Sequence, residues 1–152
     1  MNLFFLSMLL IASGGFSALI LRRQFTVMKT IGVLGISAGC LLGLIDALSK
    51  LFNPGQVSFS ISYLNVLSLS FKIDGLSAFF LVAIFAVSLL AAIYSFHYMD
   101  KPEKALRTSV NYLFFSLLIA SMALVVTADN MIAFMFSWEI MSLSSFFLVI
   151  YD

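Results

Sequence analysis

Charged residues are scarce in this sequence: Asp, Glu, Lys and Arg together make up 10 % of its 152 residues. A water-soluble domain carries about 25 % charged residues. Hydrophobic residues reach 62 % and include 17 phenylalanines, while the formal net charge is only +1. This charge gives no reason to expect a nucleic-acid partner. The composition argues against a soluble globular domain and predicts a membrane protein.

Cysteine and histidine are rarer still. Cys40 is the only cysteine, so no disulfide can form within the chain and no cysteine cluster is present for an iron–sulfur centre. His97 is the only histidine, so no histidine pair is present to hold a haem within a membrane. We predict no cofactor and no metal site in this chain. Any redox chemistry of a larger assembly is expected in other subunits, and whether the chain is part of an enzyme stays open.

Five apolar runs have the length of about 20 residues that a helix needs to cross the hydrocarbon layer. We predict an all-α integral membrane protein, with residues 1–152 as a single membrane domain. The first run could instead be a signal peptide, but Arg22 and Arg23 follow it rather than precede it, and no clear A-x-A site is present. The predicted spans are residues 3–21, 30–48, 75–98, 110–128 and 131–150.

The segment between the second and third spans, residues 56–73, has a different pattern. Apolar residues alternate with serine in QVSFSIS and again in LSLSFKI. This period of two predicts two strands, joined by a short link that contains Asn65. We therefore predict a small external β-hairpin, which rests either on the helix ends or on a neighbouring subunit, because an isolated hairpin is marginally stable in water.

Basic residues are distributed unevenly between the two sides of the membrane. Six of the eight lie in the links between spans one and two and between spans three and four. Basic loops stay on the cytoplasmic side. The N-terminus is therefore predicted outside and the C-terminus inside.

Polar residues at the span ends predict helix caps. Asp74 precedes the third span and is read as its N-cap. Thr108 or Ser109 is expected to cap the fourth span. Asp129 and Asn130 separate the fourth and fifth spans, so these two helices are predicted to be antiparallel neighbours, with either residue as the cap.

Glycines in the second span recur every four residues, at Gly35, Gly39 and Gly43. Such a register brings a second helix into close contact. It is read as packing within a helix bundle, with dimerisation as the alternative.

Glu139 lies in the apolar stretch FMFSWEIMSLSSFFLV, residues 134–149. It is the ninth residue of the fifth span, about 12 Å from one end of the helix. A lipid-facing carboxylate at this depth costs about 3 kcal/mol on insertion scales, so such residues face protein or water and are usually functional. No Lys or Arg of the sequence is placed at the same depth. The alternative is a packing hydrogen bond from protonated Glu139, with Ser142 as the acceptor.

His97, at the end of the third span, is a weaker candidate. Its imidazole could pass protons at a membrane entrance. The alternative is an ordinary interfacial side chain.

Three segments of the sequence resemble one known family in the same order. They are FKIDGLSAFFL at 71–81, YSFHYM at 94–99 and FSWEIMSLSSFFLV at 136–149. These segments, and the hairpin before them, are similar to the antiporter-like membrane subunits of respiratory complex I, of multi-subunit cation/proton antiporters and of membrane-bound hydrogenases. The Trp-Glu-x-Met-Ser-Leu core looks closest to the hydrogenase branch.

The resemblance implies that the chain is the N-terminal portion of a proton-translocating subunit in a redox-driven complex. In that family the glutamate that matches Glu139 pairs with a lysine on a later helix, so the lysine is expected from another membrane subunit or from a continuation of the chain. A split subunit, a truncated product and a short accessory subunit are the open alternatives. A subunit of a cation/proton antiporter and a structural scaffold with an inert Glu139 are the alternative functions. The expected location is a bacterial or archaeal cytoplasmic membrane.

Overall fold

Five long helices and one hairpin make up the fold. The computed structural model describes residues 2–21, 23–53, 57–63, 67–98 and 105–151. Within these ranges, all five helices are long and apolar enough to cross a membrane, so the predicted fold class is confirmed. The elements in chain order are α1 (Asn2–Ile20), α2 (Phe25–Phe52), β1 (Val57–Tyr63), β2 (Leu67–Ile73), α3 (Gly75–Tyr98), α4 (Ala105–Thr127) and α5 (Met131–Tyr151).

Two helices are longer than their apolar runs. Helix α2 extends the predicted 30–48 span at both ends, because its polar end residues find partners. The Lys29 ammonium lies 4.4 Å from the centroid of the Phe96 ring, and Lys50 forms the ion pair with Asp46 that their i,i+4 spacing predicts. The apolar run alone therefore underestimates the length of α2.

Helix α4 begins at Ala105, five residues before the predicted span. The prediction that Thr108 or Ser109 caps α4 is wrong, because both residues lie inside the helix and the Ser109 hydroxyl donates to the Leu106 carbonyl at 2.9 Å. Residues 105–107 are Ala, Leu and Arg, which are strong helix formers, so the helix continues beyond the apolar run. Arg22, Asn65 and two of the six basic residues of the predicted links, Lys101 and Lys104, lie outside the described residues.

The glycines of α2 are covered within the chain. A Cβ atom on Gly35 would lie 2.8 Å from the Cα atom of Gly14 in α1, and one on Gly39 would lie 2.6 Å from the Cγ1 atom of Ile11. A Cβ atom on Gly43 would lie 2.7 Å from the Phe85 ring of α3. Because α1 and α3 cover all three glycines, they serve packing within the bundle, and this surface is not available for a dimer contact through α2.

The hairpin packs on its own helices, which is one of the two predicted placements. Its strands are antiparallel, with Phe59 opposite Phe71. The Phe59 ring lies 4.9 Å from the Phe5 ring of α1, and the Asp129 N–H donates to the Ser70 carbonyl at 2.8 Å. The hairpin is thereby fixed to the start of α1 and to the link between α4 and α5. We call this side of the bundle the hairpin end and the other side the opposite end.

Asp74 caps α3, as predicted. Its Oδ1 accepts a hydrogen bond of 2.8 Å from the Ser77 backbone N–H. This bond, the hydrogen bond with the Ser77 side chain and the charge of Lys72 lower the pKa of Asp74. A lowered folded-state pKa stabilises the fold at pH values above the ordinary aspartate pKa, and the stabilisation is lost as the pH falls through the lowered pKa.

Replacing Asp74 by alanine is expected to cost about 1 kcal/mol of unfolding free energy, because the cap of α3 is lost. Asp74→Asn keeps a capping side chain and is the matched control. It should retain most of the stability but lose this residue's pH dependence. Denaturant unfolding of the full chain in detergent, at neutral and at acidic pH, measures both effects. Equal stability of Asp74→Ala and wild type would contradict the role of the cap.

Candidate functional site

Helix α5 presents a packed face and an uncovered face. The amide oxygen of Asn130 accepts a hydrogen bond of 2.8 Å from the Ala133 N–H, so Asn130 rather than Asp129 caps the helix. Ser137 and Ser144 lie on the packed face with 1 % and 0 % of their surface exposed. The Phe147 ring stacks on Phe114 of α4 at 4.8 Å. Helices α4 and α5 are therefore the predicted antiparallel neighbours.

Glu139 lies on the uncovered face of α5. It lies eight positions after Met131, the first residue of the helix, which is about 12 Å at 1.5 Å per residue. Its nearest neighbours on this face include Met135, Leu143 and Phe146, which are 44 %, 57 % and 57 % exposed. The carboxylate has no hydrogen-bond or ion-pair partner in the part of the chain that the structure describes. An exposed carboxylate is thus surrounded by exposed apolar side chains at mid-membrane depth.

Cations are absent from this depth among the described residues. Each lysine and arginine described lies in the hairpin, in a link or within two turns of a helix end: they are Arg23, Lys29, Lys50, Lys72 and Arg107. In the described part of the chain, Glu139 therefore has no lysine or arginine at the same membrane depth.

The other two candidates occupy different surroundings. Ser142 follows Glu139 by one turn on the same exposed face, and the structure shows no hydrogen bond between their side chains. His97 is exposed at the opposite end, where it lines a cavity of about 300 Å³ between α2 and α3. Within the described ranges, α3 and α5 do not pack along each other. The structure thus brings Ser142 beside Glu139 and leaves His97 apart from both.

Metal binding finds no support at this site. In the ranges described, no group of three His, Cys, Asp or Glu residues could hold a metal ion. The chemistry that the arrangement offers is acid–base and electrostatic: a carboxylate that can be protonated, or ionised beside a cation from outside the described residues.

Comparison with known proteins gives the family. Residues 59–108, which run from the hairpin through α3 to the start of α4, match the family model of the N-terminus of chain 5 of NADH-ubiquinone oxidoreductase (complex I). NADH-quinone oxidoreductase subunit L of Buchnera aphidicola is 36 % identical over 108 residues, which are 70 % of this chain and 17 % of the relative. Over these residues the chain matches the antiporter-like membrane subunit family.

Two further relatives of this antiporter-like chain carry different names. A putative antiporter subunit mnhA2 of Staphylococcus saprophyticus is 36 % identical over 97 residues, which are 62 % of this chain and 12 % of the relative. Hydrogenase-4 component B of Escherichia coli is 37 % identical over 82 residues, 54 % of this chain and 12 % of the relative. The chain spans less than a fifth of the length of these three relatives. All three branches are represented, so the hydrogenase branch stays a prediction.

Proposed function

We propose that this chain is the N-terminal portion of a proton-translocating membrane subunit in a redox-driven complex, of the hydrogenase or NADH:quinone oxidoreductase type. Glu139 is the channel carboxylate of that subunit. The observation that carries the proposal is the position of Glu139, at mid-membrane depth on the face of α5 that no described residue covers. Relatives whose names place them in a quinone oxidoreductase and in a hydrogenase support the redox-driven class.

The cost of placing an ionised Glu139 in hydrocarbon suggests how the residue takes up and releases a proton. An ionised carboxylate exposed to hydrocarbon would cost about 3 kcal/mol on insertion scales, so this face is covered by protein or water in the assembled subunit. A lysine on a covering helix favours the ionised carboxylate, and removal of that charge raises its proton affinity. Making and breaking the pair therefore takes up and releases a proton at Glu139. The lysine comes from another membrane subunit or from a continuation of this chain.

Ser142 and His97 have secondary places in the proposal. Ser142 lies one turn from Glu139 on the same face and can hydrogen-bond the carboxyl group or a water beside it. His97 lies exposed at the opposite end, where its imidazole can exchange protons with solvent.

The orientation and the location complete the proposal. Arg23, Lys29 and Arg107 lie at the opposite end, against Lys50 and Lys72 at the hairpin end. This excess supports a cytoplasmic position for the opposite end in a bacterial or archaeal cytoplasmic membrane.

A second candidate function is exchange of a cation for protons, driven by an ion gradient. The relative named as a putative antiporter subunit supports it. The same position of Glu139 fits this function, because both need an intramembrane carboxylate. A structural scaffold with an inert Glu139 is the third candidate.

The source of energy separates these functions. The complete complex that contains this chain is reconstituted into vesicles with a pH-sensitive dye inside, and it is energised either by its electron donor and acceptor or by an imposed Na⁺ or K⁺ gradient. We expect the internal pH to change during redox turnover and not with the gradient alone, and a protonophore to abolish the change. A pH change driven by the gradient alone identifies the antiporter function. A redox-driven pH change that Glu139→Gln leaves at the wild-type rate identifies the scaffold.

A further inference from the structure

A groove between α2 and α3 opens away from the bundle near its opposite end. It is the cavity of about 300 Å³ that His97 lines. Leu34 and Ile93 on its rim are 61 % and 54 % exposed, so the groove faces outward between the two helices. Sequence reasoning missed this groove, because its two walls lie far apart in the chain and meet only where α2 packs on α3.

The groove runs from the ends of the helices into their membrane-spanning part. Thr30 lies five positions after Phe25, the first residue of α2, and Ser37 lies twelve positions after it. At 1.5 Å per residue these positions are about 8 Å and about 18 Å into the helix. His97 is the last residue but one of α3 and lies exposed at the mouth. The groove therefore joins the membrane surface to the hydrocarbon layer.

The inside of the groove offers no free hydroxyl donor. Thr30 donates its hydroxyl to the Thr26 carbonyl at 2.8 Å, and Ser37 donates its hydroxyl to the Val33 carbonyl at 2.6 Å. A polar ligand would lose hydrogen bonds to water on entering such a place, whereas a hydrocarbon chain would not. Apart from His97, the remaining lining side chains are apolar: Val33, Leu34, Ile93 and Phe96. The interior therefore favours an apolar occupant.

The size of the groove limits this occupant to a single narrow chain. A helix with its side chains has a diameter of about 10 to 12 Å. A cavity of about 300 Å³ is too small to admit one. An acyl chain of a lipid is narrow enough, and the groove extends about 10 Å along α2 from Thr30 to Ser37, in the direction in which acyl chains cross a leaflet.

Positive charge lies around the mouth of the groove. The Lys29 ammonium is 4.4 Å from the centroid of the Phe96 ring, which forms part of the wall. The His97 imidazole can donate an N–H in either protonation state and is charged when protonated. Arg23 is exposed at the same end of the bundle. In the orientation proposed above this end lies in the cytoplasmic leaflet, where basic pockets between membrane helices bind anionic lipid headgroups.

We propose that this groove binds an anionic phospholipid, with one acyl chain between α2 and α3 and the phosphate at His97, close to the charge of Lys29. The apolar interior and the basic mouth match the two parts of such a molecule. The proposal uses the orientation given above for the choice of leaflet and does not involve Glu139, because α5 contributes no residue to the groove. A measurement of lipid binding therefore succeeds or fails independently of proton translocation.

Lipid binding to the purified full chain tests the headgroup preference. Native mass spectrometry from detergent measures the dissociation constants of phosphatidylglycerol and of phosphatidylcholine with identical acyl chains. We expect phosphatidylglycerol to bind about fivefold more tightly or better, because one basic group near the membrane surface favours an anionic lipid by about this factor. Equal binding of the two lipids overturns the proposal.

A substitution on the rim tests the position of the acyl chain. Leu34→Trp places a large ring in the groove and should weaken phosphatidylglycerol binding about tenfold, since the loss of roughly two buried methylene groups is enough for this effect. Leu9→Trp is the matched control, because Leu9 lies on α1, outside the groove, and is 67 % exposed. It should bind the lipid as the wild type does. Wild-type binding by Leu34→Trp overturns the proposal, because the lipid is then held elsewhere on the surface.

Photolabelling of the wild-type complex keeps the test decisive if Leu34→Trp does not fold. The complete complex is incubated with phosphatidylglycerol that carries a diazirine in one acyl chain, and the labelled peptides are identified after irradiation. We expect label within residues 30–37 and 93–97, reduced by excess unlabelled phosphatidylglycerol and less by phosphatidylcholine. Absence of label from both segments overturns the proposal and shows that a side chain of another subunit fills the groove.

Discussion

Replacing Glu139 by glutamine is expected to stop proton translocation by the assembled complex and to leave the complex intact. Glutamine has nearly the same size and shape as glutamate, so the packing of α5 is preserved, but it cannot take up or release a proton. A positioned acid–base group contributes about 10²-fold or more to a proton-transfer step. The rate of internal pH change in reconstituted vesicles should therefore fall at least about tenfold, to the level of the passive leak.

The matched control is Asp129→Asn, which makes the same chemical change at an exposed residue in the link between α4 and α5. It should pump at the wild-type rate, since it lies outside the membrane-spanning helices. Size-exclusion chromatography of both variants checks assembly. Wild-type pumping by a correctly assembled Glu139→Gln complex would show that Glu139 is not the channel carboxylate. Loss of assembly in Glu139→Gln alone would point to the scaffold function.

Replacing Gly39 by leucine is expected to prevent the chain from folding. At this position α1 approaches α2 so closely that a Cβ atom would lie 2.9 Å from both the Ile11 backbone nitrogen and the Ser7 carbonyl oxygen. These are backbone atoms, so the whole of α1 would have to move away. Association of membrane helices depends on such close packing. Even Gly39→Ala should lose about 1 to 3 kcal/mol of stability through overpacking.

Gly75→Ala is the control for Gly39→Ala. Gly75 begins α3, and a Cβ atom there would have no neighbour within 4 Å. Alanine favours a helix over glycine by about 1 kcal/mol at interior positions, so this control should be neutral or slightly stabilising. The yield of folded protein after detergent extraction, and reversible unfolding in mixed micelles, measure the difference. Wild-type stability of Gly39→Ala would contradict the observed contact between α1 and α2.

The two faces of α5 explain why its glutamate and its serines have different environments. Ser137 and Ser144 are small and lie against α4, where they allow a close approach. Glu139 and Ser142 lie on the other side, with exposed side chains such as Trp138 and Phe146 nearby. An exposed face with aromatic residues around a carboxylate is suited to contact with further helices. A helix that carries the proposed lysine would pack on this surface.

Much of the architecture was predictable because it depends on local properties of the sequence. A run of about 20 apolar residues defines a membrane helix wherever it occurs, and alternation of serine with apolar residues defined β1 and β2. Asp74 caps α3 through an atom only three residues away. The depth of Glu139 follows from counting residues along one helix. Each of these features needs only the residues near it in the chain.

Other features depend on which helices become neighbours, and only the tertiary structure decided those. The starts of α2 and α4 extend beyond the apolar runs, and Lys29 in α2 finds Phe96 on a different helix. The Phe147 ring of α5 stacks on the Phe114 ring of α4 because these two helices pack against each other. The sequence placed an acid at mid-depth, but the uncovered face on which Glu139 lies was determined by the packing of α5 against α4. Hydropathy and periodicity act along one helix, whereas a side chain's partner is set by contacts between residues far apart in the chain.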